Sequence, residues 1–131
     1  MEYREDRIMS IQTEDGRTLS VYIDGPQHGE PIVLIHGHGA DHRMWEPQLR
    51  RYADEGYRVI APDMRGHGGS ANVERIEIGD WAEDIRFVLD RIGVEKAHVI
   101  GVSMGGIIAG EFVCRYPERT LSVVLSDTFG K

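Results

Sequence analysis

The chain has 131 residues, 40% hydrophobic and 28% charged, and its 22 Asp and Glu against 15 Lys and Arg give a formal charge of −7. That length supports one domain, residues 1–131, with its own core, and the acidity argues against a nucleic-acid surface, which needs clustered cations to displace counterions. No apolar run nears the roughly 20 residues of a membrane span, and the segment from Met1 to Arg7 is too charged for a signal peptide.

Two alternating segments, residues 9–13 and 18–24, flank Glu14-Asp15-Gly16-Arg17. An Asp-Gly pair between alternating runs predicts an antiparallel hairpin. Residues 31–35, 57–61, 97–102 and 121–125 are short, almost continuously apolar and rich in β-branched side chains. Strands of a parallel sheet covered on both faces have this pattern. Helical spacing lies between them: a short segment from Pro47 to Glu55 closed by Gly56, then a stripe of Ile78, Trp81, Ile85, Val88, Leu89 and Ile92. Asp80 and Glu83 form a capping-box variant for that stripe, and Gly93 suits its C′ position. A third helix runs from Met104 to about Tyr116, where Pro117 stops it. The expected architecture is α/β: a mostly parallel sheet behind an antiparallel N-terminal hairpin, with helices on both faces. The single cysteine, Cys114, excludes an internal disulfide framework, reads as a small core residue, and makes a soluble cytoplasmic protein the expectation.

Gly101-Val102-Ser103-Met104-Gly105-Gly106 follows an apolar strand and opens a helix. A strand-to-helix turn this tight strains the backbone at Ser103 and pushes its side chain outward, while the flanking glycines let neighbouring backbone pass. The hydroxyl then sits at a helix N-terminus, and the Met104 N–H is placed to donate to an oxyanion. The plainer alternative is that Ser103 caps the helix and the glycines serve packing alone. His36-Gly37-His38-Gly39 directly follows another apolar strand, where it can present a second donor, the His38 N–H, with Gly37 and Gly39 beside the substrate.

With these two motifs the sequence resembles the α/β-hydrolase superfamily of serine esterases and lactonases. Pro62-Asp63-Met64-Arg65-Gly66-His67-Gly68-Gly69-Ser70 is similar to the loop after the family's fourth strand, and the resemblance runs from about Met9 to Asp127. The final stretch, Leu121 to Lys131, is most similar to enol-lactonase-like and carboxylesterase-like members. The resemblance implies hydrolysis of a small ester or lactone through an acyl-enzyme on Ser103, with no cofactor. It also implies a triad that runs Ser, then Asp or Glu, then His along the chain. No histidine follows Ser103 here, so the core is expected to be truncated, lacking the family's last two strands and its lid. His98 lies about 16 Å along the strand from Ser103 and cannot serve as its base. His28 and His42 read as surface loop residues. Asp127 is a candidate acid or a structural strand end.

Ending near Lys131 exposes the strand Leu121 to Leu125 as an edge, a template for pairing. A homo-oligomer or a complementing fragment joined there is expected to supply what is missing. A non-catalytic hydrolase-like binding module is the main alternative. A less favoured one is a metal-dependent hydrolase built on His36, His38, Asp41 and His42, an H-x-H-x-x-D-H string able to hold Zn²⁺. Nucleotide binding at Gly101–Gly106 is weaker still, because Ser103 occupies the second glycine position of that motif.

Overall fold

In the computed structural model, which describes residues 4–70 and 76–126, the two alternating segments pair as the hairpin predicts. Strand β1 (Ile8–Gln12) runs antiparallel to β2 (Thr18–Asp24), with Gln12 opposite Thr18. Gly16 turns between them at φ +85°, a conformation that side chains rarely adopt. The chain continues through β3 (Pro31–Ile35), α1 (Glu46–Asp54), β4 (Arg58–Pro62), α2 (Ile78–Arg91), β5 (Ala97–Val102), α3 (Met104–Arg115) and β6 (Thr120–Ser126). The sheet order is β1-β2-β4-β3-β5-β6. β2 joins β4 antiparallel, and the pairs β4–β3, β3–β5 and β5–β6 are parallel.

Side-chain alternation divides the core into two layers. Val33 and Ile35 of β3, Ile60 of β4 and Val99 of β5 pack with Ile85, Val88 and Leu89 of α2 and Ile108 and Phe112 of α3. Each such large side chain removed from water contributes about 1.5–3 kcal/mol. On the opposite face Ile32, Leu34, Val59 and Ala61 pack with Tyr22 and with Leu49 and Ala53 of α1. Helices therefore cover both faces, but unevenly. The nine-residue α1 covers the β2–β4 side, so β5 alternates between buried and half-buried residues. Every residue of β6 after Thr120 is exposed, including Val124 at 51% and Leu125 at 50%.

Three local expectations change. The capping box of α2 joins Glu77 to Asp80 rather than Asp80 to Glu83, because the helix begins one turn earlier; the Glu77 N–H donates to Asp80 Oδ2 at 2.9 Å. Gly93 does take the C′ position, at φ +76°. Cys114 is exposed, since the buried side of α3 is carried by Gly105, Gly106, Ile108, Ala109 and Phe112. His42 is not a surface residue: it is 3% exposed and held by Asp63.

Candidate active site

Ser103 joins β5 to α3 with φ 57° and ψ −120°, and among the described residues it is the only non-glycine with positive φ. Such a conformation costs about 1–3 kcal/mol and persists only where surrounding structure enforces it. Here the Ser103 N–H donates to Ser126 O at 2.9 Å, and the Ser103 carbonyl accepts from Gly106 N–H at 2.9 Å. The flanking glycines make the turn possible. A Cβ at Gly101 would lie 2.0 Å from Gly105 O, and one at Gly105 would lie 2.2 Å from Ile35 O. The Ser103 side chain makes no capping hydrogen bond to α3. That removes the plainer reading of this serine as a cap and leaves its hydroxyl beside the helix N-terminus. Met104 is the first residue of α3, so its N–H precedes the helix's own hydrogen-bond ladder.

The turn after β3 lies against this elbow. A methyl group at Gly37 would sit 3.6 Å from Ser103 Cβ, while Gly39 turns the chain away at φ +77°. The Gly37 N–H is already donated to Met44 Sδ at 3.3 Å, whereas His38 is exposed. A cavity of about 760 Å³ opens beside the turn; its walls include His38, Gly39, Met44, His67 and Trp81, but not Ser103.

The loop after β4 holds the turn at both ends, through the Met64 N–H at one and the Asp63 side chain at the other. His36 is buried; its Nε2 accepts from Met64 N–H at 3.0 Å, which leaves Nδ1 to donate to Gly37 O at 2.8 Å. Burial pushes the His36 imidazole below its ordinary value, in keeping with a neutral ring. Asp63, 2% exposed, accepts from His42 N–H and from His42 Nδ1, both at 2.8 Å, and from Gly69 N–H at 3.0 Å. Burial alone would raise this carboxyl, but the hydrogen bonds from His42 and Gly69 hold it below the usual carboxylate value. Sequence reasoning assigned His36 to the turn and Asp63 to the loop without seeing that they join the two segments. It also missed Met44.

These bonds rearrange the metal reading. Both ring nitrogens of His36 are committed, and His38 faces His67 edge-on with ring centroids 5.6 Å apart. Asp41, His42 and Asp63 do approach one another within 4.8 Å, but His42 Nδ1 and Asp63 Oδ1 are already bonded together. The His36, His38, Asp41, His42 set is therefore not brought together as four ligands. Among the described residues no imidazole is hydrogen-bonded to Ser103; the candidate acid Asp127 lies outside them. No helix among the described residues is long and apolar enough to cross a membrane.

Comparison with known proteins agrees with this fold. The chain is 42% identical over 121 residues to 3-oxoadipate enol-lactonase 1 of Acinetobacter baylyi, covering 92% of this chain and 45% of that protein. A hydrolase from Pseudomonas aeruginosa superposes with a TM-score of 0.88 at 29% identity, covering 95% of this chain and 47% of the other. An esterase from Exiguobacterium antarcticum gives 0.86 at 31% identity, with coverage of 93% and 46%. The chain thus spans about half the length of the relatives it matches. The family model of the alpha/beta hydrolase fold matches residues 30–130, and the chain belongs to that family.

Proposed function

We propose that this chain carries the nucleophile and oxyanion-binding half of a serine hydrolase for small carboxylic esters or lactones. Ser103 attacks the carbonyl carbon, and the Met104 and His38 N–H groups receive the developing oxyanion, while Gly37 and Gly39 leave room for the acyl group. The general base and its acid come from another chain or segment that joins at β6, either a second copy or a complementing polypeptide. The observation that carries this reading is the strained Ser103 backbone at the β5–α3 junction, with a hydroxyl that makes no capping bond. The enol-lactonase and esterase names of its relatives support the ester or lactone class.

Without a base the serine is a weak nucleophile, yet a preformed oxyanion site and binding alone retain about 10³–10⁴-fold acceleration over water in triad-deleted serine proteases. Slow acetylation of Ser103 by p-nitrophenyl acetate is therefore expected. Ser103→Ala should abolish acetylation of the tryptic peptide 97–115. Absence of acetylation on that peptide in the parent, or its persistence in Ser103→Ala, would overturn the catalytic reading.

A further inference from the structure

We propose that Ser122, His98 and Glu30 form a second acylation site, separate from Ser103, that takes neutral aryl esters and similarly activated electrophiles. The three residues come from the region of three neighbouring parallel strands. His98 on β5 is the register partner of both Ile32 on β3 and Ser122 on β6. Glu30 stands two residues before Ile32 and reaches the same face. His98 Nδ1 lies 2.6 Å from Ser122 Oγ, and His98 Nε2 lies 3.2 Å from Glu30 Oε2.

Proton inventory fixes the direction of this relay. Glu30 faces His98 Nε2 as an ion-pair partner, which favours the ring proton on that nitrogen. In the neutral ring Nδ1 is then bare, and the Ser122 hydroxyl must be the donor. A general base needs this tautomer: a lone pair on the nucleophile's proton, and a carboxylate behind the ring to stabilise the imidazolium. Beside the relay lies a cavity of about 310 Å³ lined by Ile32, Tyr52, Tyr57, Ile100 and Val124, with Glu55 at its rim. Aromatic and aliphatic walls suit an aryl or short acyl group, while Glu30 and Glu55 repel anions. Ser122 lies within a strand rather than at a helix N-terminus, so a tetrahedral oxyanion gains no helix-dipole stabilisation. The site therefore selects substrates with good leaving groups. It lies on the α1 face of the sheet.

With a p-nitrophenyl ester, Ser122 Oγ bonds to the acyl carbon as its proton passes to His98 Nδ1. The carbonyl then re-forms as the bond to p-nitrophenolate breaks, and His98 releases its proton to solvent. Water next adds to the acyl-serine, giving a proton to His98, which returns it to Ser122 Oγ as the acid departs. With a fluorophosphonate, the P–Oγ bond forms, the P–F bond breaks, fluoride leaves and the serine proton goes to His98.

The inference stands independently of the role given to Ser103, and one experiment separates the two. The full chain is treated with a neutral fluorophosphonate probe and digested with trypsin, so that Ser103 and Ser122 fall in peptides 97–115 and 120–131. Ser122 should be labelled in the parent and in Ser103→Ala, faster than in the urea-unfolded chain. Ser122→Ala should remove that label. In the Ser103→Ala background, His98→Gln should slow it by about tenfold or more, the usual scale of general-base assistance. Glu30→Gln, at an exposed position, should slow it severalfold with an unchanged urea midpoint. Absence of label at Ser122, or a rate that His98→Gln leaves unchanged, would overturn the proposal.

Discussion

A methyl group at Gly37 would meet Ser103 Cβ at 3.6 Å and Val102 O at 3.5 Å, ordinary contact distances, and Gly37 has no positive φ to lose. Gly37→Ala is therefore expected to leave the urea unfolding free energy within about 1 kcal/mol of the parent. On the proposed function it fills the space the acyl group needs, so acetylation of Ser103 should fall by about tenfold or more. Unchanged acetylation would mean that the substrate does not approach along this turn. Gly105 is the contrasting case: its added Cβ would lie 2.2 Å from Ile35 O, and strand backbone cannot yield as a side chain can. His36 adds a pH dependence of defined sign. Its folded imidazole titrates below the ordinary value near 6.5, because burial disfavours the cation. Below about pH 6.5 the unfolded chain thus binds a proton that the folded chain does not. Stability is full above that pH and is lost as pH falls through the folded value. Asp63, also depressed, adds a second loss at pH values below the ordinary carboxylate range. Urea midpoints measured from pH 8 to 4 should fall from about pH 6.5 downward, and His36→Asn should flatten the first step. A flat parent profile between pH 6.5 and 5 would contradict this account of His36.

At the scale of elements, the turn after β3 is held by bonds between segments far apart in sequence. Asp63 binds both the backbone and the ring of His42, and His36 receives Met64 N–H. Asp63→Ala takes the carboxylate acceptor from buried His42 donors, and losing such an acceptor costs about 1–3 kcal/mol. Urea unfolding should show that loss, and a cost under about 1 kcal/mol would mean that the tie is not structural. This pairing was invisible in the sequence for a physical reason: residues 42 and 63 share no periodicity, and a loop aspartate carries no local sign of what it binds. Strands were legible because their pattern is local. Residues 31–35 and 97–102 were placed at their observed bounds, and the third helix was placed to within a residue. The elbow was legible as well, since Gly101 and Gly105 are demanded by backbone approaches of 2.0 and 2.2 Å. The start of α2 was misread because Asp80 serves equally well as a cap or as the third residue of a helix capped by Glu77.

For the whole molecule, the uneven covering of the sheet is the dominant fact. Parallel sheets are normally buried on both faces, yet Leu121, Val123, Val124 and Leu125 of β6 are 38–51% exposed, and the outer backbone of β6 has no strand partner among the described residues. An apolar edge of this kind recruits another strand. The expected outcome is self-association in the absence of a complementing polypeptide. Light scattering at micromolar concentration should give at least twice the 14.8 kDa monomer mass, rising with concentration. Val123→Lys places a charge on the edge without touching Ser103, Ser122 or their hydrogen-bond partners, and should shift the mass toward the monomer. Exposed Val124 and Leu125 lie near the end of the strand whose Ser126 carbonyl receives the Ser103 N–H. Association at this edge should therefore also slow hydrogen exchange at the Ser103 amide, linking the assembly to the elbow. A stable monomer at that concentration would overturn self-association through β6.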